Sequence, residues 1–404
     1  MRALGQPLMP AREGCGMRLN GVIHASAMAL LLILLPWPAL AGDARGGADR
    51  QAAGLKRIEE TEQAPELAAL GQAWERDYRA ARRAWLENLA ASGQARDLFA
   101  AAALWPADGD VWPAAEARHL YLQASRAMPR DALVDWAMLM KACGKVDECN
   151  RQDLLGSLLS ADPDNAEVHL LAFDDALARH DDKMADAQWR AAAAAPFYRS
   201  HFPEFGRLLL RSTDGMPLPP LPSALAKAQG ALLGLGRDAT PEDINEMMTM
   251  GVVHALAMPA FKPLLDRCPA DSANLGPERR DECVAVLGKL AADDAMLIVP
   301  LAALSRLIPL LGNSPQARPW RERLRDVAWA YEKGMPLTLP ASGGPMSPGE
   351  YTRWWLAEGE LPALREVLRR NGAPVAPPPD WLPSRPRQRQ LITGPGAAGG
   401  AVAR

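Results

Sequence analysis

Apolar and polar positions between residues 60 and 371 follow the three- and four-residue spacing of helices. The clearest example is 65–92, whose apolar stripe is Leu67, Leu70, Trp74, Tyr78, Ala81, Trp85 and Leu89. Charged side chains occupy the other positions, and Gly93 predicts the end of this helix. No run of alternating β-branched residues indicates a strand. The pattern therefore predicts an all-α protein.

Two short motifs predict where helices begin. Thr240-Pro241-Glu242-Asp243 and Ser347-Pro348-Gly349-Glu350 each place a hydroxyl group before a proline, with a carboxylate three residues later. A hydroxyl and a carboxylate at this spacing cap the first turn of a helix, and proline is favoured at its first position. We expect helices to start at both motifs.

Prolines also mark a period in the chain. Pro129 and Pro163 are 34 residues apart, Pro196 follows after 33 more, and each interval holds two helical segments joined by a short turn. In the second interval Asp164-Asn165-Ala166 opens the unit, and its second helix carries Ala185, Trp189 and Ala192. Residues 130–197 resemble the tetratricopeptide repeat. The resemblance implies an α-solenoid of stacked antiparallel helix pairs whose concave face binds a partner.

The N-terminal segment has the three-part order of a secretory signal peptide. Within residues 17–41, Arg18 precedes the apolar run 27–35, prolines follow, and Ala39-Leu40-Ala41 ends the segment. The apolar run is shorter than the roughly 20 residues of a membrane helix. We expect cleavage after Ala41, with Met17 as an alternative start, and export to the periplasm or the medium. The alternative is an uncleaved membrane anchor.

Composition divides the chain into six predicted segments. In chain order they are a signal peptide (1–41), a disordered spacer (42–63), an N-terminal helical repeat array (64–212), a Pro-rich connector (213–222), a C-terminal helical region (223–371) and a Pro/Gly/Arg-rich tail (372–404). We expect the tail to be extended and loosely held. No membrane span is expected once the signal is removed.

The charge balance argues against nucleic acid as a partner. The whole chain has a net charge of −3, and removal of a leading segment that carries +2 leaves −5. Nucleic-acid binding depends on neutralising phosphates with lysine and arginine, which a mildly acidic chain does poorly.

Four cysteines remain after the predicted cleavage: Cys143, Cys149, Cys268 and Cys283. An even number in an exported chain favours disulfides, and three pairings are formally open. Proximity favours 143 with 149 and 268 with 283. Zinc sites and redox motifs need closer cysteines than either pair provides. A bridge at 143–149 requires a turn between helices, for which Gly144 would end one helix and Asp147 or Asn150 would cap the next.

Carboxylates and histidines form the candidate chemistry, and each group has a structural alternative. His169 and His180, with Asp174-Asp175 and Asp181-Asp182 nearby, are the densest potential ligands. On one helix face the two histidines would stand roughly 16 Å apart, too far to share an ion, which favours a polar turn. For Asp293-Asp294 and for Glu358 with Glu360, helix capping is favoured over an acid and base pair.

Aromatic and sulfur side chains raise two further possibilities. Trp354-Trp355 could stack on a ligand, and Met247, Met248 and Met250 could bind copper. Core packing is favoured for both, because neighbours on a helix point about 100° apart and no histidine pattern accompanies the methionines. We find no Gly-x-Ser-x-Gly, phosphate-binding glycine loop or His-Glu-x-x-His, and expect no cofactor or metal.

The sequence favours a non-enzymatic, exported helical scaffold that binds a protein or peptide partner in the cell envelope, through a groove between helices. Two alternatives stay open. One is a cell-envelope hydrolase that uses an unrecognised carboxylate or histidine, and the other is a membrane-tethered assembly factor.

Overall fold

A computed structural model describes residues 65–106, 114–143, 146, 148–256, 262–270, 275–338 and 346–394. The predicted signal peptide and spacer, together with Gly144 and Asp147, lie outside this part. The described residues contain seventeen α-helices and no strand, which confirms the all-α prediction. The solenoid arrangement stays a prediction.

The helices follow one another with short connections, and two of them continue as π-helical turns. Their bounds are Pro65–Ala90 (α1), Ala95–Leu104 (α2), Ala115–Arg126 (α3), Ala132–Ala137 (α4), Arg151–Ala161 (α5), Ala166–Ala178 (α6), Asp182–Ala194 (α7), Phe202–Arg211 (α8), Ser223–Leu232 (α9), Pro241–Leu256 (α10), Lys262–Arg267 (α11), Pro277–Ala291 (α12), Ile298–Leu311 (α13), Ala317–Trp329 (α14), Pro348–Glu358 (α15), Glu360–Arg370 (α16) and Pro386–Thr393 (α17). Met138–Ala142 continues α4, and Ala330–Gly334 continues α14.

Both predicted helix starts are confirmed. At α10 the Asp243 N–H donates to Thr240 Oγ1 at 3.3 Å, and the Thr240 N–H donates to the Asp243 carboxylate at 2.8 Å. At α15 the Glu350 N–H donates to Ser347 Oγ at 3.1 Å. These bonds satisfy backbone N–H groups that have no partner within the first turn of a helix.

Helix α8 joins the two halves of the chain. It contacts α2 and α4 on one side of the Pro-rich connector and α10 and α15 on the other. Phe205 packs edge-on against Phe99, and a Cβ on Gly206 would come within 2.5 Å of Leu356. A second contact is made by α7 and α12, where Lys289 donates to the carbonyl of Ala193 at 2.7 Å. Helices from both sides of the connector therefore share one hydrophobic core.

The Pro-rich connector lies along α1. The Trp74 indole donates to the carbonyl of Pro219 at 3.2 Å, and the Trp85 indole donates to that of Ser212 at 2.8 Å. A small cluster of buried side chains fills the space between them: Trp74, Tyr78, Met216 and Leu225.

The structure confirms both disulfides with the pairing that proximity favours. Cys143–Cys149 connects the π-helical end of α4 to the loop before α5, and Cys268–Cys283 connects the end of α11 to α12. Asn150 caps α5 as expected, because its side chain accepts from the N–H of Gln152 at 3.1 Å. None of the described helices is long and apolar enough to cross a membrane.

Candidate functional site

The described part of the tail is held against α14, which corrects the expectation of a loosely held segment. We call residues 373–394 the strap. Over its length only Pro383 and Gly394 are buried, and Leu391 and Ile392 are half-buried against the core. Side chains of the body hold the strap, mostly by hydrogen bonds to its backbone. We call them the strap-binding face: Arg321, Arg325, Trp329, Tyr331 and Glu332.

Strap carbonyls accept hydrogen bonds from successive turns of α14. The Trp329 indole donates to Pro374 at 2.9 Å. One turn earlier, Arg325 Nε donates to the carbonyl of Trp381 at 2.9 Å, and another nitrogen of the same guanidinium donates to that of Pro378. Because Trp329 and Arg325 are four residues apart, they lie on the same side of the helix. An extended segment that contains prolines cannot use all its own N–H groups, but its carbonyls stay free to accept.

Three further contacts fix the register of the strap. Both oxygens of the Glu332 carboxylate accept from the Ser384 N–H, at 2.9 and 3.1 Å. The Arg385 guanidinium stacks over Tyr331 at 5.2 Å, and the rings of Trp329 and Trp381 meet edge-on at 5.1 Å. Such cation–π and aromatic contacts add specificity to backbone recognition.

A second candidate is a group of buried or half-buried titratable residues where the two halves meet, which we call the junction cluster: Glu167, Tyr198, His201, Asp293, Tyr351 and Glu360. Glu167 accepts from His201 at two places, from its backbone N–H at 3.0 Å and through a 2.5 Å contact with Nδ1. Glu360 accepts from the Leu297 N–H at 2.6 Å, at the start of α13. Asp293 accepts from the Met296 N–H at 3.4 Å.

Burial and mutual repulsion dominate the electrostatics of this cluster. Burial raises the pKa of Asp293 to about 7, with a further contribution from the charge of Glu167. Burial likewise raises the pKa of Glu360 to about 7, and Asp293 adds to the effect. Burial alone would lower the pKa of His201, but the hydrogen bond and charge of Glu167 outweigh it and raise the pKa.

Shifted carboxyls are often found at active sites, so we looked for a nucleophile and a groove beside the junction cluster among the described residues. The Ser200 hydroxyl donates to Glu167 at 3.3 Å rather than to His201, so the histidine does not activate it. Two grooves, of about 510 and 300 Å³, are lined by residues of α1 and α3 and of α12 and α13. Neither is lined by a residue of the cluster.

The histidines of the predicted ligand group do not meet. His169 contacts Gln188 and the Pro163 carbonyl through its two ring nitrogens, at 2.9 and 2.8 Å. His180 is exposed in the turn before α7, with a positive φ of 57°. Asp181 caps α7 by accepting from the Met184 N–H at 3.0 Å.

Of the acidic pair at 174 and 175, Asp175 forms ion pairs with Arg151 and Arg179. Burial would raise the pKa of Asp175, but hydrogen bonds from Arg151, Arg179 and Gln152 lower it below its usual value. Burial raises the pKa of Asp174. Within the described residues, no group of three or more histidine, cysteine or acidic side chains could hold a metal ion.

The remaining candidates lie in or near the core. Trp355 is buried, stacks on Phe202 at 5.2 Å and donates to the Ala295 carbonyl at 2.6 Å, and Trp354 packs at the edge of the same core. Met250 is buried, and Met248 packs against the cluster on α1. Asp294 pairs with Arg323, and Glu358 is exposed.

Sequence reasoning missed Glu167, His201 and the strap-binding face. Glu167 and His201 are 34 residues apart in the chain, and no local pattern marks them as neighbours. For the strap-binding face, Arg325 and Trp329 lie four residues apart on α14. This spacing is a weak signal, because their partners are backbone carbonyls, which every residue has.

Comparison of this chain with protein-family models, with curated proteins and with solved structures finds no match.

Proposed function

We propose that this protein is an exported, non-enzymatic scaffold that binds an extended, proline-containing segment of a partner protein on the strap-binding face. One observation carries the proposal: α14 holds the strap mainly through backbone carbonyls and two aromatic contacts. Recognition of this kind accepts another extended segment with carbonyls at the same spacing. Proline-rich peptides commonly bind aromatic-lined surfaces in this way.

The way in which the strap is held supports exchange with a partner. Most of its side chains are exposed, including Val375 at 37% and Leu382 at 39%. Leu391 and Ile392 pack against the core, so the free-energy cost of release falls on these apolar contacts as well as on the hydrogen bonds and aromatic contacts. In this proposal the strap occupies the face until a partner segment competes for it.

Export is the other part of the proposal. Two disulfides in the described residues favour an oxidising compartment, the periplasm or the medium, over the cytosol. The signal-like order of residues 17–41 and cleavage after Ala41 supply the route. The hydrolase alternative has less support, because the shifted carboxyls lie in the junction cluster without an activated nucleophile.

A peptide panel tests the binding function. A site-specific protease sequence is inserted between Val375 and Ala376, both of which are exposed, so that the strap from Ala376 onward can be cut and washed away while Pro374 stays bonded to Trp329. Intact and cut proteins are compared on extended proline-containing peptides and on proline-free helical peptides. We expect the cut protein to bind the proline-containing set, and the intact protein to bind it at least tenfold more weakly.

The same cut protein then serves as bait in an envelope fraction. We expect repeated recovery of one partner with an extended proline-containing segment, and loss of that partner when a synthetic strap peptide is added. Equal binding of both peptide sets, or a partner that the strap peptide does not displace, would contradict the proposal.

A further inference from the structure

A turn in the strap places an aromatic side chain on the strap-binding face. The N–H of Trp381 donates to the carbonyl of Pro378 at 3.1 Å, which closes a turn over 378–381. Arg325 donates to the carbonyls of both residues, so that one guanidinium holds the two ends of the turn. The Trp381 ring meets the Trp329 ring edge-on, with centroids 5.1 Å apart. This contact requires an aromatic side chain at the last position of the turn.

Ser384 and Arg385 follow this turn and contact the π-helical continuation of α14, Ala330–Gly334. Glu332 accepts from the backbone N–H of Ser384, at 2.9 and 3.1 Å, and from its hydroxyl at 2.9 Å. The Arg385 guanidinium lies over the Tyr331 ring, 5.2 Å from its centroid. Because Tyr331 and Glu332 are adjacent in the chain, they bind two adjacent residues of the strap, a hydroxyl residue and an arginine.

Both of these positions restrict the residue types that fit. A proline at 384 would lack the N–H that Glu332 accepts. An acidic side chain there would bring a second carboxylate to Glu332, and like charges at hydrogen-bond distance repel each other. At 385 the Tyr331 ring attracts a cation, and arginine is the commonest partner in such contacts. Leu382 differs from both, because 39% of its surface is exposed, so its identity matters little for binding.

We propose that the strap-binding face selects partner segments that carry an aromatic residue, a serine or threonine three positions later, and an arginine directly after it. The inference rests on the proposed function and names the kind of partner: a protein of the same compartment with this pattern in an exposed, proline-containing segment. The strap carries the pattern itself, at Trp381, Ser384 and Arg385, and therefore competes through the same contacts. A proline-containing segment without the pattern makes only the backbone hydrogen bonds.

The first test uses the full chain, without a cut. W381A and R385Q each remove one contact of the strap, so the strap should leave the face more often. A labelled peptide of residues 376–394, followed by fluorescence anisotropy, should then bind each variant about fivefold more tightly than it binds the wild type. L382A is the matched control, because Leu382 is exposed, and should bind the peptide like the wild type. Circular dichroism checks that the three variants fold.

Substituted peptides test the same pattern from the side of the partner. They are titrated onto the full chain that carries R385Q in its own strap. Peptides with W381A, S384A or R385Q should each bind about fivefold more weakly than the unsubstituted peptide. A peptide with L382A should bind like the unsubstituted one.

A pair of charge changes locates the serine contact on the protein. A peptide with S384E should bind at least tenfold more weakly, because its carboxylate meets that of Glu332. E332Q in the body removes this repulsion, so S384E should then bind within about twofold of S384A. An E332Q effect that is only structural would lower the binding of every peptide alike. R318Q is the matched control in the body, since Arg318 is an exposed arginine of α14 that pairs with Glu322, and it should leave all binding unchanged.

A grafted peptide separates this inference from the proposed function. An unrelated proline-containing peptide is given tryptophan, serine and arginine at the spacing of the strap and is compared with its parent. We expect the grafted peptide to bind at least fivefold more tightly. If parent, grafted and substituted peptides all bind alike, the pattern is overturned and the proposed function stands. If no peptide binds either the R385Q chain or the cut protein, the proposed function fails and the pattern fails with it.

Discussion

The carboxylate of Glu360 accepts a hydrogen bond from the backbone N–H of Leu297, so the first residue of α16 caps the start of α13. The bond joins two helices whose sequence positions are 63 residues apart. It also places a carboxyl with 9% of its surface exposed beside Asp293, and both groups have a pKa of about 7.

This arrangement predicts that stability falls as pH rises from about 5 to 8. The folded protein binds more protons than the unfolded chain in this range, because the pKa values of Asp293 and Glu360 are raised. His201 acts in the same direction, since its pKa is also raised. Urea denaturation at several pH values measures the effect.

Glu360→Gln isolates one carboxyl of the cluster. The glutamine oxygen can still accept from Leu297, but no charge is buried at high pH. We expect E360Q to be more stable than the wild type by about 2 kcal/mol at pH 8 and equal to it near pH 4. E358Q, at an exposed neighbouring position, should leave the pH profile unchanged. A wild-type profile that is flat between pH 5 and 8 would count against the junction electrostatics.

Removal of the two disulfides should have unequal effects. Cys268–Cys283 spans 15 residues and Cys143–Cys149 spans 6. In the chain-entropy model the longer loop contributes about 3 kcal/mol and the shorter about 2 kcal/mol. Paired Cys→Ser variants, compared by urea denaturation, should follow that order. Thiol labelling of the unreduced protein should leave these four cysteines unlabelled, and labelling of all four would contradict the pairing.

Gly359 is required by a close approach as well as by its backbone conformation. Its φ is +99°, and a Cβ there would lie 2.6 Å from the carbonyl oxygen of Asp294. Gly93 also has a positive φ, of +69°, but open space around it. Gly93→Ala should therefore cost about 1 kcal/mol, and Gly359→Ala clearly more. Equal losses of unfolding free energy for the two variants in urea denaturation would contradict the close approach of Gly359 to the Asp294 carbonyl.

Arg325 should control how firmly the strap is held. It donates to the carbonyls of both Trp381 and Pro378. We expect R325Q to increase the rate of trypsin cleavage after Arg387 and Arg389 by about tenfold, since about 1.4 kcal/mol of hydrogen bonding is lost. Mass spectrometry identifies the fragments. R318Q should cleave at the wild-type rate, and an R325Q rate equal to it would mean that the face does not hold the strap.

The sequence predicted what depends on neighbours along the chain. Apolar spacing indicates helices because it is a local property, and the caps at Thr240 and Ser347 act within one turn. The cysteine pairs are close enough for proximity to identify them. The junction cluster brings together Glu167, Asp293 and Glu360 from distant segments, and periodicity carries no information about such contacts. Binding of the strap could not be predicted either, because every residue has a backbone carbonyl and the sequence does not show which carbonyls accept hydrogen bonds from α14.

The central claim is that the strap-binding face recognises an extended segment. Its most direct test is the binding of a labelled synthetic peptide, residues 376–394, to the cut and washed protein, followed by fluorescence anisotropy. We predict saturable binding that R325Q weakens about tenfold and R318Q leaves unchanged. No saturable binding to a body that circular dichroism shows to be folded would contradict the claim.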